Sequence, residues 1–349
     1  MAAHFVDSVS HYTSLLPKWD VQAFTDNNSI GINLTAGRFG GGTHVSRHDQ
    51  NGYGYVGKLL DKRYGTLIAG FSFQQNTSGA DPQGVVFSFA DGFTRQISLT
   101  FDPNTLKLGV RQGDGTGAVI GTGTRILSNG VWYYVEVRAV FATSGGDVQV
   151  RIDGTQDIDT GAQNTAPSGN AGADRMNFGA FANSANVTCN ASDWYLCDSL
   201  GPDLNTFLGD VRVQTLIPTG PGSNTTWTPF PNTDANWQAV KEIPPDGDTS
   251  YVSSLTPGQI DTYAHTSLAP TSGSVLAVQF VIDARKDDAG TRTIAPVVRE
   301  GATNYVGSNI DVPSSYDFMT QIMETDPATG VAWTVAAVNA DEFGVSMVS

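Results

Sequence analysis

From about residue 64 onward the apolar residues of this chain recur at every second position in short runs. Leu67, Ala69, Phe71 and Phe73 make one, Val85, Phe87 and Phe89 another, Ile97, Leu99 and Phe101 a third, and Leu106, Leu108 and Val110 a fourth. A period of two puts alternate side chains on one face of a pleated strand, so each run reads as a strand with one buried face. Turn-forming clusters separate the runs, at Asp91-Gly92, Asp102-Pro103-Asn104 and Gly113-Asp114-Gly115. A turn roughly every ten residues is the cadence of antiparallel sandwiches and barrels, and gaps this short hold no crossover helix. The composition agrees: 39 glycines and 16 prolines in 349 residues, with 15% charged residues, supply turns but little of the Glu, Lys and Arg that cover exposed helices. The expected fold class is therefore all-β, and the length favours two domains.

The longest pattern is a hairpin. Val131, Tyr133, Val135, Val137, Ala139 and Phe141 share one face; the chain turns at Thr143-Ser144-Gly145-Gly146; Val148, Val150 and Ile152 return before Asp153-Gly154. Its segments Trp132-Tyr133-Tyr134-Val135-Glu136 and Val148-Gln149-Val150-Arg151-Ile152-Asp153-Gly154 resemble the central hairpin of concanavalin A-like and laminin G-like jelly rolls. A second resemblance follows. Asp193-Trp194-Tyr195-Leu196-Cys197-Asp198, then Phe207-Leu208-Gly209-Asp210-Val211-Arg212-Val213 and Leu216-Ile217-Pro218-Thr219-Gly220, are similar to the end of the first domain in a group of tailed-bacteriophage virion proteins, where such a final strand closes a lectin-like sandwich. Phe5-Val6-Asp7-Ser8, His11-Tyr12, Lys18-Trp19, Gly37-Arg38-Phe39-Gly40-Gly41, Trp227-Thr228-Pro229, Asn236-Trp237 and the stretch from Pro245 to Ser253 extend the similarity end to end. The chain departs from the group at Trp194, where a second aspartate is usual, and in its two cysteines. The resemblance implies a concanavalin A-like jelly roll over residues 1–216. It also implies a non-catalytic virion structural protein, displayed as a capsid decoration, head fibre or tail fibre, made in the bacterial host cytoplasm and partnered by other virion proteins.

Residues 217–245 concentrate Pro, Gly, Asn, Thr and Asp without the period of a strand or helix, which predicts a linker packed down through Trp227 and Trp237. Residues 246–349 are expected to form a second, smaller β-sandwich, with strands at Ile294 to Val298 and Trp333 to Val338 and one short helix at about Ser315 to Thr325. Val275 to Ile282 is apolar on both faces, as in the middle of a sandwich or at a subunit contact. A closed homo-oligomer, a trimer first, is the expectation.

Acidic residues outnumber basic ones 34 to 19, and a net charge of −15 is repelled by phosphate backbones and anionic lipids, so no nucleic acid or membrane partner is expected. The segment Met1 to Asp7 has neither the basic nor the apolar region of a secretory signal, in keeping with folding in a cytoplasm. Glycoside hydrolysis needs two closely held carboxylates, yet Glu136 is the sole glutamate before residue 217 and the aspartates fall mostly at turns. No catalytic residue and no bound cofactor is expected. His44 and His48 have the spacing of a zinc pair on a helix, but Gly40-Gly41-Gly42 and Asn51-Gly52-Tyr53-Gly54 oppose a helix there. Asp193 and Asp198, joined by Asp210, are candidate ligands for a structural calcium, with solvated turn carboxylates as the alternative. Cys189 and Cys197 read as two buried thiols or as a disulfide across neighbouring strands. The alternative function is a carbohydrate-binding adhesin or depolymerase that recognises host-surface glycan. Its aromatic platforms would come from Tyr53, Tyr55, Trp132 and Trp194, with core burial as the competing role of Trp132.

Overall fold

The computed structural model describes residues 2–16, 18–24, 30–47, 54–76, 84–181, 188–231, 235–269 and 273–349. The chain divides into two compact units, Met1–Val213 and Gln214–Ser349.

In the first unit the strands, in chain order, are β1 (Ala3–Asp7), β2 (Val21–Phe24), β3 (Ile30–Asn33), β4 (Thr43–Arg47), β5 (Gly54–Tyr64), β6 (Thr66–Gln75), β7 (Gly84–Asp91) and β8 (Thr94–Asp102). They continue as β9 (Lys107–Gln112), β10 (Val119–Thr122), β11 (Trp132–Val140), β12 (Asp147–Ile152), β13 (Thr155–Asp159), β14 (Ala173–Phe181) and β15 (Thr188–Asp198). All pair antiparallel, in two sheets. The front sheet runs β13-β12-β11-β6-β15-β4-β3, with β1 also on β15, and the back sheet runs β10-β9-β8-β7-β14-β5-β2. This is the jelly-roll sandwich expected from the sequence. The period-two runs supply its core: Phe71, Phe73, Phe87, Phe89, Phe101 and Phe178 are sealed between the sheets with Trp19 and Trp194. The Phe71 ring stacks on Trp194 at 4.6 Å and on Phe87 at 5.3 Å, which ties front sheet to back.

Two local devices set the faces of the front sheet. Asp153 and Gly154 both take positive φ, 50° and 75°, the requirement of a tight turn that matches the twist of β12 and β13. In β15 the ladder to β6 breaks between Ser192 and Tyr195, where Asp193 adopts φ 52°. That bulge sends Trp194 into the core and turns Tyr195 to the outside.

In the second unit the strands are β16 (Pro218–Thr225), β17 (Thr228–Phe230), β18 (Tyr251–Ser253), β19 (Ile260–His265), β20 (Val278–Ala284), β21 (Thr293–Glu300), β22 (Thr303–Val306), β23 (Ile310–Asp311), β24 (Asp317–Met323) and β25 (Glu342–Met347). Among the described residues one α-helix, α1 (Val335–Ala340), lies between β24 and β25, and two short 3-10 turns lie between β17 and β18. One sheet runs β16-β19-β25-β21-β22 with β23 on β21, and β20 pairs with β24 in a ribbon of its own. The unit's apolar centre holds Phe280, Val298, Trp333 and Val338, with Ile294, Met319, Val345 and Met347.

Three expectations for this half are corrected. Residues 217–245 are not a strandless linker, because β16 pairs with β19 and β17 with β18; prolines are tolerated in β16 since it lies at the sheet edge, where no outward N–H is needed. The short helix is not at Ser315 to Thr325, which contains β24 paired with β20, but at α1, overlapping the segment expected as a strand. Thr334 caps it by accepting the Ala337 N–H at 3.0 Å. Of the apolar run at Val275 to Ile282, residues 278–282 lie in β20 and are half-buried apart from Phe280, so within one chain the run is not buried on both faces as in the middle of a sandwich.

Candidate functional site

The outer face of the front sheet carries Glu136, and the chain covers it with its own backbone. Glu136, Gly70 and Tyr195 share one row there, and Arg138, Ile68 and Cys197 the next. Residues 199–213 cross these rows as an extended strap with no strand of its own, although Phe207 to Val213 was expected to pair into the sheet. Leu204, Phe207, Leu208 and Val211 pack onto Ala2, Ile68, Tyr134, Tyr195 and Cys197. The strap's polar groups are fastened one by one. Gly209 N–H donates to Glu136 Oε1 at 2.8 Å, Asp210 takes a two-pronged pair from Arg38, and Val213 N–H donates to Asp193 Oδ1 at 2.9 Å. Arg151 stacks on Phe207 at 4.2 Å and Arg212 on Phe39 at 4.7 Å.

Glu136 is fully buried and also accepts the Tyr195 hydroxyl at 2.6 Å, so it is neither a surface ion-pair partner nor open to a ligand. Arg138, the neighbour on its face, pairs with Asp147 instead. Gly70 is required beneath Tyr195, because a Cβ there would lie 2.0 Å from the ring. Replacing Gly70 by Ala is expected to cost about 1–3 kcal/mol of stability through overpacking, measured as a lower denaturant midpoint and faster amide exchange in the strap.

The calcium candidates are held apart. Asp193 accepts from Ser72, Ser192 and Val213, and burial lifts its carboxyl above the usual range against those bonds. Asp198, five positions along β15 and on the order of 15 Å away, accepts from His4 at 2.9 Å and from Leu200 N–H. Asp210 is committed to Arg38. Among the described residues no group of three or more His, Cys, Asp or Glu has a metal-binding arrangement.

His44 serves the core. Asp7 accepts from Tyr12, from Trp19 Nε1 at 2.9 Å and from Val9 N–H, and the Tyr12 hydroxyl lies 3.4 Å from His44 Nε2. Burial lowers His44 and His11 to about 4 and Lys18 to about 8. His48 and Tyr53 lie outside the described residues. Cys189 and Cys197 are buried thiols on the same strand, and burial pushes the Cys189 thiol up to about 12.

Of the aromatic candidates, Trp194 is in the core, while Trp132 and Tyr55 are half-buried. The outer face of the back sheet holds what the sequence reading missed. Strand register sets Leu59, Arg175, Ala90 and Arg95 in one row, and Gly57, Asn177, Ser88, Ser98 and Arg111 in the next. The turn after β9 curls over one side: Ser98 donates to Gly113 O at 2.6 Å, Arg111 Nη1 to Gly117 O at 2.7 Å, and Asp114 faces Arg95. At the end of the first row, the β7–β8 turn projects Phe93, 91% exposed, with the Arg175 guanidinium 4.9 Å from its ring centre. The turn is anchored by Gly92 N–H donating to Asp174 at 2.8 Å. Period two could have revealed part of this, since Arg175 and Asn177 alternate with the core residues Met176 and Phe178.

No protein-family model matches the chain, and no curated protein sequence matches it. Among solved structures, the cellulose-induced protein Cip1 is similar at 13% identity and TM-score 0.43, over 60% of this chain and all of that one. The carbohydrate-binding module CBM66 from Bacillus subtilis follows at 10% identity and 0.37, over 52% of this chain and 97% of that one. The alginate lyase Aly36B stands at 12% and 0.40, over 56% and 96%. Likeness at these scores decides neither family nor activity.

Proposed function

We propose that the chain is a carbohydrate-binding protein whose first unit recognises glycan on the outer face of the back sheet, with binding rather than turnover as its task. The observation that carries this reading is Phe93, an almost fully exposed aromatic ring on a turn anchored by Gly92 and backed by Arg175. Large apolar side chains left in water on a rigid turn are suited to stacking against a sugar ring. The commitment of Glu136 to Tyr195 and Gly209 supports a non-catalytic role, since the one glutamate of this unit is spent on fastening the strap. On a glycan array, the purified chain should bind, and Phe93→Ala should weaken that binding about tenfold, as loss of roughly 1.4 kcal/mol of stacking implies. Binding unchanged by Phe93→Ala would move the site elsewhere, and depolymerisation of host polysaccharide by the purified chain would overturn the non-catalytic part.

The setting on a phage particle rests on the resemblance in Phe207 to Val213 and the segments around it. In that setting the chain is a surface component in contact with other virion proteins, and a closed trimer gives repeated weak sites avidity. Mass spectrometry of purified particles tests the location. Sedimentation of the free chain at micromolar concentration tests the assembly, and a monomer would count against the trimer.

A further inference from the structure

We infer that Arg175 is an anchor for the acidic group of an anionic sugar, a uronate or sulfated residue, in an inference that rests on the glycan-binding reading and narrows its ligand. Arg175 is 7% exposed, its Nε is buried without a partner, and it makes no hydrogen bond or ion pair with any described residue. Its guanidinium lies 4.9 Å from the centre of the Phe93 ring. Seven other arginines, Arg38, Arg63, Arg125, Arg138, Arg285, Arg292 and Arg299, sit within ion-pair reach of an aspartate or glutamate, and Arg111, whose Nε is buried in the same way, donates through Nη1 to Gly117 O. In a chain with 34 acidic residues to 19 basic ones, a buried guanidinium without a carboxylate is an expensive arrangement. It cannot shed its proton to escape the cost, so an anion supplied from outside is the missing partner.

A second orphan stands beside it. Asn177, two positions along β14 and on the same face, is 3% exposed; its amide donates to Ser88 at 3.2 Å while its Oδ1 has no partner among the described residues. The approach is so close that a Cβ on Gly57 would lie 2.7 Å from that oxygen, so glycine keeps the space open. Successive same-face residues of a strand are roughly 7 Å apart, a separation that one monosaccharide bridges. The two orphans ask for opposite things, an anion at Arg175 and a hydroxyl or amide donor at Asn177. A free inorganic anion offers the first alone. A sugar acid offers both, with an apolar ring face left for Phe93. Beyond about 8 Å the repulsion from the chain's net charge is screened at physiological salt, so the charges lining the patch decide the preference.

The test uses the full chain and matched polymers: polygalacturonate and dextran sulfate against neutral galactan and dextran, with inorganic sulfate and phosphate alone as further arms. Affinities are read by titration calorimetry at physiological salt. The expected result is at least tenfold tighter binding of an acidic polymer than of its neutral counterpart, a preference abolished by Arg175→Gln, with the circular dichroism spectrum unchanged. Arg151→Gln, remote on the front sheet, should leave the preference intact. In the absence of ligand, Arg175→Met should raise the thermal midpoint, because it removes the unpaired charge, and acidic polymer should raise the midpoint of the parent chain but not of this variant. Neutral glycans bound with no acidic preference would overturn this inference and leave the glycan reading standing, whereas no glycan bound at all would overturn both. An acidic preference that survives in Arg175→Gln, or binding of the inorganic anions with no polymer bound, would overturn the assignment to Arg175 and a sugar acid.

Discussion

Acidification from pH 6.5 to about 4.5 is expected to remove on the order of 5 kcal/mol of the first unit's stability, through two imidazoles that the fold holds neutral. Burial lowers His11 and His44 to about 4, against an ordinary 6.5, with Asp7 pulling the other way in both cases. Between those values the unfolded chain takes up protons that the folded one refuses, so the unfolded state binds more protons and stability falls as pH falls. Each group contributes roughly 2–3 kcal/mol by pH 4.5. Asp7 does not add to this window. Burial raises its carboxyl but Lys18, His11, His44 and Tyr12 bring it below the usual range, so its contribution is lost only at still lower pH. Urea midpoints at neutral, intermediate and acidic pH measure the slope, and His44→Gln should cut it by about half whatever it does to the midpoint itself. A midpoint that does not move across the window would show that neither imidazole is held neutral.

The Glu136→Ala variant is expected to lose about 3 kcal/mol, because truncation leaves two buried donors, the Tyr195 hydroxyl and the Gly209 N–H, without an acceptor. For a unit of this size that corresponds to a fall in thermal midpoint of roughly 6–12 °C. The loss should be local as well as global, with amides from Leu208 to Val213 exchanging faster while those of β8 and β9 keep their protection. Glu136→Gln preserves an acceptor oxygen and should lose less than half as much. Calorimetry together with amide exchange checks both statements, and a variant with an intact strap would mean that the apolar contacts and the bonds of Asp210 and Val213 hold it without Glu136.

The sheets of the first unit were legible because their information is local: a row such as Leu67, Ala69, Phe71, Phe73 states its own period and face. The strap was not, since its partners, Glu136 and Arg38, lie more than seventy positions upstream and the same residues, Phe207 to Val213, fit an edge strand equally well. Glu136 could be singled out as the one glutamate of its domain, but its solvent access depends on a segment that sequence periodicity does not place over it. In the second unit the β24 residues Phe318, Thr320 and Ile322 alternate with Met319, Gln321 and Met323, a weak pattern that suits either helix or strand until β20 provides the pairing. α1 was hidden for the opposite reason, since Val335 and Val338 favour strands intrinsically and the Thr334 cap decides the local outcome. Phe93 and Arg175 are distant in sequence and meet only through the β14–β7 ladder.

The strap also determines how the first unit would bear tension. Its chain enters through β1, which is laddered to β15 from Ala3 against Cys197 to Asp7 against Trp194. It leaves at Val213, whose N–H is held by Asp193 of that same strand. A pull between the two ends therefore loads β15 from both sides and leaves the back sheet outside the line of force. Under such a load the strap's bonds to Gly209 and Asp210 would yield in sequence, like a tear strip, before the sandwich opened. A unit wired in this way can release about fifteen residues of strap, with a contour of roughly 50 Å, and keep the face that carries Phe93 intact while it does so.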